Sequence, residues 1–396
     1  MKINRNMKIH IAIFELFTEE ESVITIYNLL KVSDYKVSLF LSRKIWEIIR
    51  DNIAKNDLEI LEVYDNNLTF IHLKQEIERH INNNKIDLFI LTRFQSTSIK
   101  ETKCYIDFFK NNKTLVGIFN YGRWFSYLPS IEFNGLKIIK RHLIRDWLYC
   151  HLVIKYIYSF FISEIHQHSS NPLKKYLKKY VEDDHILDIP FKITEKSYNP
   201  NFNYEYPIFV IPGRIEKKRR RYLSIMKFFQ NKELKKYKWK LILLGRPIGK
   251  YGVKVIKIAK QINSCHYKNR IIYFDKYISK NKYDELVNQS THILAPINEN
   301  FYKKGKDSGA IYDVFKYNKI GIFNDSYFYS RNLVEKKVLI CYKNKIEFYN
   351  ILQNIISNKI SYQNIVDNIG LINKHFNRNN YLSCIKNSFI SNFNVE

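Results

Sequence analysis

Two short stretches carry residue types that could handle a phosphorylated ligand. The first is Gly213-Arg214 followed by the basic run EKKRRR at 216–221. It stands after an apolar segment, FVIP, that reads as a strand, and before a helix starting near Tyr222. Guanidinium groups beside the unpaired amides of a helix N-terminus form an anion site, and a forked guanidinium grips two oxygens at once. The second stretch is KDSGAIYD at 306–313. Ser308 suits a helix N-cap, and Gly309 lets a ligand approach the backbone amides. Asp313 follows one turn later, where a carboxylate can accept hydrogen bonds from hydroxyls, and Lys306 adds positive charge. Each stretch has a plainer reading, a solvated charge run for the first and an ordinary capped helix for the second.

These residues need elements to hold them. In the N-terminal half, strand patterns at KIHIAIFE (8–15), KVSLFLS (36–42), LTFIHL (68–73, the weakest), IDLFILTRF (86–94), TLVGIF (114–119) and DHILDIP (184–190) alternate with helical patterns. The helices run to Leu30, to about Asn84, and over 100–111. After a polar, proline-bearing stretch at 195–207 the alternation restarts. Strands are expected at 209–214, 239–247, 270–279, 291–300 and 319–323, with helices at 253–262, 280–289, 308–318 and 345–357. Continuous apolar runs separated by helices indicate parallel sheets covered on both faces. The expected fold class is α/β, two Rossmann-like doubly wound domains facing across a cleft. Their expected bounds are 1–195 and 205–375, with a C-terminal helix at 376–396 packing back toward the first.

Composition agrees. The 396 residues suit two domains, 45% of them are hydrophobic, and only 11 glycines and 8 prolines occur, against any turn-dense all-β fold. Lys and Arg number 65 against 38 Asp and Glu, a net charge of +27, which implies attraction to polyanions. Part of that excess reflects a Lys-, Asn- and Ile-rich background. The five cysteines are far apart with no CxxC pair, so no disulfide framework is expected and a reducing cytoplasm is the natural home. No apolar stretch reaches the ~18–20 residues of a membrane span. The segment 137–162 is basic, then aromatic and aliphatic, and reads as one or two helices. These either pack in the core or lie on an anionic membrane face.

The order GR with Arg219 and Arg220 five and six residues on, LILLG (241–245), IIYFDKYIS (271–279), HILAP (292–296) and SGAIYDVFKYNKIGIF (308–323) resembles the donor half of GT-B glycosyltransferases. The resemblance is strongest to the retaining family 4 (group 1) enzymes, over about 205–325. It implies transfer of a sugar from a nucleotide-diphosphate donor to a glycan or lipid-linked acceptor, in surface glycan synthesis. Arg214, with Arg219 or Arg220, would hold the diphosphate, helped by Gly213, Lys218 and Gly245. The loop reaching Ser308 and Gly309, with Lys306, would bind phosphate and sugar. Asp313 would take the ribose, and Tyr277 would lie in the nucleobase-contacting loop. Arg214, Arg219 and Asp313 are thus the expected catalytic set. Glu15, Tyr121 and Arg123 are the expected acceptor-side residues. The family's pair of glutamates, eight residues apart, falls here on Gly305 and Asp313.

No cofactor or metal is expected. The His166–Gln167–His168 run lacks a third ligand, and GT-B enzymes generally need no bound metal. The alternatives are a catalytically inactive GT-B-like assembly protein and a basic nucleic-acid-binding protein. The latter lacks a helix-turn-helix, finger, RRM or KH signature, and the basic residues are spread rather than striped, so nucleic acid is not an expected partner.

Overall fold

A computed structural model describes residues 8–17, 20–31, 35–92, 94, 98–118, 158–162, 186–189, 206–265, 269–298, 308–325 and 337–375. The chain divides into two compact units, the second spanning Thr194–Phe376. Tyr121, Arg123, Lys306, residues 119–157, the His166–His168 run, 195–205 and 376–396 lie outside the described residues.

The first unit contains β1 (His10–Glu15), α1 (Glu20–Lys31), β2 (Lys36–Ser42), α2 (Arg43–Ile49), β3 (Ile60–Tyr64), α3 (Phe70–Asn84), β4 (Leu88–Leu91), α4 (Ile99–Asn111), β5 (Thr114–Ile118), β6 (Tyr158–Ile162) and β7 (Ile186–Ile189). They form one parallel sheet ordered β3-β2-β1-β4-β5-β6-β7. Strands β1 and β2 are buried along nearly their whole length, as continuous apolar runs require when both faces are covered. Phe14, Phe40, Phe70, Phe89, Tyr105 and Phe108 fill one face, and Ile13, Leu39, Leu41 and Ile90 belong to the other.

Two expectations fail here. LTFIHL is not a strand. Thr69 stands at the N-cap of α3, its amide donating to Nδ1 of His72 at 3.2 Å, and Phe70, Leu73, Ile77 and Ile81 repeat at helical spacing on the buried side. The strand of that region is β3, earlier in the chain, which is only half-buried at the sheet edge and so lacks an apolar run. The tail of 137–162 is likewise not helical, because Tyr158–Ile162 lies as β6 between β5 and β7. An aromatic, β-branched run satisfies its backbone in a sheet as readily as in a helix, and periodicity does not separate the two.

The second unit contains β8 (Ile208–Ile211), α5 (Tyr222–Phe229), β9 (Lys240–Leu243), α6 (Gly249–Cys265), β10 (Ile271–Tyr273), α7 (Lys280–Gln289), β11 (His292–Ala295), α8 (Gly309–Lys316), β12 (Ile320–Asn324), β13 (Leu339–Tyr342), α9 (Lys345–Ile356) and α10 (Gln363–His375). Its sheet is parallel and ordered β10-β9-β8-β11-β12-β13. The order reverses between β8 and β11. Open α/β sheets bind ligands at such a point, beyond the carboxyl ends of the strands. Trp239, fully buried, anchors the core beside Phe229 and donates its indole N–H to the Leu234 carbonyl at 3.2 Å.

The opposite, amino edge of this sheet buries two bases. Lys319, 2% exposed, donates to the Asn288 carbonyl at 2.7 Å, and burial pushes its pKa down to about 7. Burial, then the Lys319 charge, holds His292 at about 3. Both pKa values fall on folding, so the unfolded chain keeps these protons more tightly and stability rises with pH across each window. For Lys319 the window runs from about 7 to its ordinary 10.5. Unfolding free energy is therefore expected to climb from pH 7 to pH ~9.5, by up to about 1.4 kcal/mol per unit. Above pH ~10 buried phenols such as Tyr105, raised chiefly by burial, oppose the trend, since only the unfolded chain ionises them. Denaturant titrations of Lys319→Met should lose most of the climb. A wild-type profile flat from pH 7 to 9 would contradict this account.

Candidate functional site

The chain leaves β8 through Pro212 and turns at Gly213, whose φ of +89° is a conformation glycine adopts without strain. Gly245, just beyond β9, presses directly on this turn. A Cβ at Gly245 would stand 2.5 Å from the Gly213 carbonyl carbon and 2.8 Å from the Arg214 Cα. Ile215 then pairs with Pro247 as a parallel bridge, its amide donating to the Arg246 carbonyl at 3.1 Å. The two loops at the carboxyl ends of β8 and β9 are thus one packed layer.

Within 216–221 the cations part company. Arg214, Lys217 and Lys218 are exposed, and Arg219 pairs with Glu216 at 3.8 Å. Arg220 turns inward and is only 5% exposed. Its amide donates to the Glu216 carbonyl at 3.1 Å, its own carbonyl accepts from the Tyr251 hydroxyl at 3.2 Å, and it forms an antiparallel bridge with Ile297. The bridge is flanked by Arg221 N–H to the Pro296 carbonyl at 2.8 Å and Asn298 N–H to the Arg219 carbonyl at 2.9 Å. A run that looked like surface charge is therefore stitched to the loop leaving β11.

The Arg220 guanidinium lies under the Gly213 turn, where a Cβ on that glycine would meet Nη2 at 3.1 Å. The Tyr222 hydroxyl donates to the Gly213 carbonyl at 2.9 Å and steadies the same turn. Nε and Nη1 of Arg220 are buried and have no hydrogen-bond partner among the described residues. A buried cation with two nitrogens short of an acceptor is costly, so its retention is a physical argument for an anionic ligand there.

Helix α8 lies between β11 and its parallel neighbour β12 in chain order, so its first-turn amides also face the carboxyl edge of the sheet. Ser308 is buried at the N-cap position, but its side chain does not bond the first-turn amides, contrary to the simple capping expectation. Gly309 is exposed, and no acidic residue occupies the first turn. Helix dipole and amides there favour negative charge.

Asp313, 2% exposed, faces α7, and its Oδ2 accepts the Tyr283 hydroxyl at 2.6 Å. Nearby, Tyr317 donates to Asp284 Oδ1 at 2.5 Å, and Lys280 pairs with the same carboxylate at 2.8 Å. Removing the hydroxyl with Tyr283→Phe leaves a buried carboxylate short of a donor. Urea unfolding should show a loss of about 1–3 kcal/mol. An unchanged midpoint would mean that the pair holds nothing in place. Tyr277, 64% exposed, lies in the loop after β10 at the edge of the sheet.

Glu15 ends β1 at the corresponding reversal point of the first sheet, between β1 and β4. It is 1% exposed, accepts the Phe17 amide, and accepts the Thr92 hydroxyl just past β4. Its carboxylate thus ties two loops together rather than meeting solvent.

Sequence reasoning singled out both stretches as candidates, but it missed Tyr283 and the inward turn of Arg220. The signal for Tyr283 was faint, a tyrosine on a polar helix of no evident chemistry.

No family model and no curated protein matches the sequence. Solved structures do match over nearly the whole chain. A glycosyltransferase from Rickettsia africae superposes with a TM-score of 0.62 at 13% identity, covering 98% of this chain and 100% of that one. HepE from Anabaena, in complex with UDP, gives 0.62 at 11% identity, covering 97% and 100%. A UDP-N-acetylglucosamine 2-epimerase gives 0.60 at 10% identity, covering 98% of each. The chain has the two-domain Rossmann-like fold of GT-B glycosyltransferases, which nucleotide-sugar epimerases share. Among the described residues no helix is long and apolar enough to cross a membrane.

Proposed function

We propose that this protein is a glycosyltransferase that moves a sugar from a nucleoside-diphosphate donor to a hydroxyl acceptor, with the donor held by the second domain. One observation carries the reading. Arg220 holds a buried guanidinium, unpartnered at Nε and Nη1 among the described residues, at the reversal point of the sheet. The amides opening α8 stand at the same edge. The likeness to HepE, solved with UDP and with UDP-glucose, supports a nucleotide-sugar as the ligand.

In this reading the diphosphate sits between Arg220 and the Ser308–Gly309 turn. Arg214 and Lys218 supply long-range attraction from the exposed rim, with Lys306 in the loop before α8 adding to it. Negative charge develops on the diphosphate as the glycosidic bond breaks. Donors already fixed in place stabilise it without reorganising, and that is where most of the rate gain would arise. Arg220 is fixed by its backbone bonds to Glu216 and Tyr251 and by the bridge that sets it opposite Ile297. Asp313 accepts the ribose hydroxyls with Tyr283 orienting it, and Tyr277 offers a ring to the base. The acceptor belongs to the first domain, with Glu15 shaping its loop and Tyr121 and Arg123 in the segment after β5. A glycan or lipid-linked acceptor fits the basic character of the chain, and 137–157 would meet an anionic membrane surface on the cytoplasmic side. No metal is assigned to the transfer step.

The test combines calorimetry with product analysis. UDP, GDP and CMP are titrated into the wild type, and UDP- and GDP-sugars are incubated with extracts of lipid-linked and soluble glycans. Acceptor-dependent release of nucleoside diphosphate supports transfer. Interconversion of UDP-N-acetylglucosamine and its 2-epimer without acceptor would replace transfer with epimerisation. Nucleotide binding without turnover would leave an assembly role. Salt-steep binding to random DNA with no nucleotide binding would overturn the reading altogether.

A further inference from the structure

On the first domain the fold brings Glu62, Glu76 and His80 together, with one donor atom from each lying within 4.8 Å of the others. Glu62 stands on edge strand β3, and Glu76 and His80 are four apart on α3, so they share one helix face. His80 Nε2 is 3.6 Å from Glu62 Oε1. The Phe40 ring meets the imidazole edge-on at 5.5 Å, and Phe40 is itself the cross-strand neighbour of Glu62. The imidazole is therefore braced on a rigid element, as a ligand must be.

Two further facts point to a cation. First, in a chain of +27 with 65 Lys and Arg, neither carboxylate pairs with a Lys or Arg among the described residues. Second, Tyr64 lies two residues beyond Glu62 on the same face of β3, is 7% exposed, and its buried hydroxyl has no partner in good hydrogen-bond geometry among the described residues. Tyr64 shares a core cluster with Leu73 and Ile77 of α3, which places the phenol between the strand and the helix that carry the three donors.

We propose that Glu62, Glu76 and His80 bind a divalent transition-metal ion, with the Tyr64 hydroxyl at its inner border. Two carboxylates and one imidazole are a borderline nitrogen and oxygen set, suited to zinc, manganese or ferrous iron rather than to the softer cuprous ion. The half-buried position leaves the remaining coordination sites to water. The ion would pin the edge strand to the helix beside it, a structural role independent of the donor site. The site does not bear on whether the transfer reaction uses a metal, because it belongs to the other domain.

The test uses the full chain stripped with chelator and dialysed. Zinc or manganese is titrated by calorimetry, and the melting temperature is followed alongside. Saturation at a hundred times the dissociation constant should raise it by roughly 7 °C. One ion should bind per chain, and Glu76→Gln and His80→Gln should each weaken binding at least tenfold, while UDP affinity stays as in the wild type. Cobalt-loaded protein should show visible d–d bands that vanish in His80→Gln. No saturable binding, or binding that is unchanged in both variants, overturns the proposal.

Discussion

Arg220→Met is expected to lose nucleoside-diphosphate binding by ~10²–10³-fold while the ligand-free protein melts no lower than the wild type. Both halves follow from one circumstance. The guanidinium is 5% exposed, and two of its nitrogens have no acceptor among the described residues, so in the ligand-free chain it incurs desolvation without full compensation. Exchanging buried ionic groups for apolar side chains of similar volume is often neutral or stabilising, by about 1–4 kcal/mol where whole ion pairs are replaced, and a cation short of acceptors has less to lose. When a diphosphate arrives, the same group makes charge-assisted bonds from a fixed position, and losing one such donor costs about 2.7–4 kcal/mol of binding or transition-state energy. Arg220→Lys should recover part of the affinity, since the charge returns without the fork. Calorimetry with UDP and scanning calorimetry of the free proteins read the two effects separately. A variant that melts well below wild type yet binds UDP normally would reverse the assignment and make Arg220 structural.

Gly245→Ala attacks the same site through the backbone. The added methyl would fall 2.5 Å from the Gly213 carbonyl carbon and 2.8 Å from the Arg214 Cα, so main chain rather than a flexible side chain must move. The turn over Arg220 is held by the Tyr222 hydroxyl, by the Ile215–Pro247 bridge and by the Arg220–Ile297 bridge, so it has little slack. Overpacking of this kind costs about 3 kcal/mol, a fall in melting temperature of about 8 °C for a domain of this size. A shift near 1 Å at the turn should weaken nucleotide binding roughly 100-fold. Gly249→Ala is the control. Its φ is +57° but nothing lies within 4 Å of the added methyl, so it should lose only about 1 kcal/mol and leave UDP affinity intact. Equal effects from the two substitutions would refute the packing argument.

The strands at 10–15 and 36–42 were legible because a strand buried on both faces must be apolar without interruption. Edge strands escape that demand. Ile60–Tyr64 carries Glu62 in its middle, and Leu339–Tyr342 is half-buried at two of its four positions, so neither stood out. LTFIHL misled for the opposite reason. It packs Phe70 and Leu73 at the start of a helix whose apolar spacing shows only when Ile77 and Ile81 are counted in. The Glu62, Glu76 and His80 cluster was legible only in part, because Glu76 and His80 share a helix face but Glu62 comes from a strand separated from them by a turn.

From residue order alone came the alternation of strand and helix, the parallel α/β class, and the two places, after Ile211 and before Gly309, where an anion could be held. These are local properties, carried by apolar periodicity and by glycine and cation positions. Which of three consecutive arginines turns inward is not local. Residues 216–221 have no regular period, so the direction of each side chain is set by hydrogen bonds to distant backbone. The bridge from Arg220 to Ile297 buries that arginine, leaves Arg219 with Glu216, and places the charge beneath Gly213, and it exists only once β8 and β11 lie side by side.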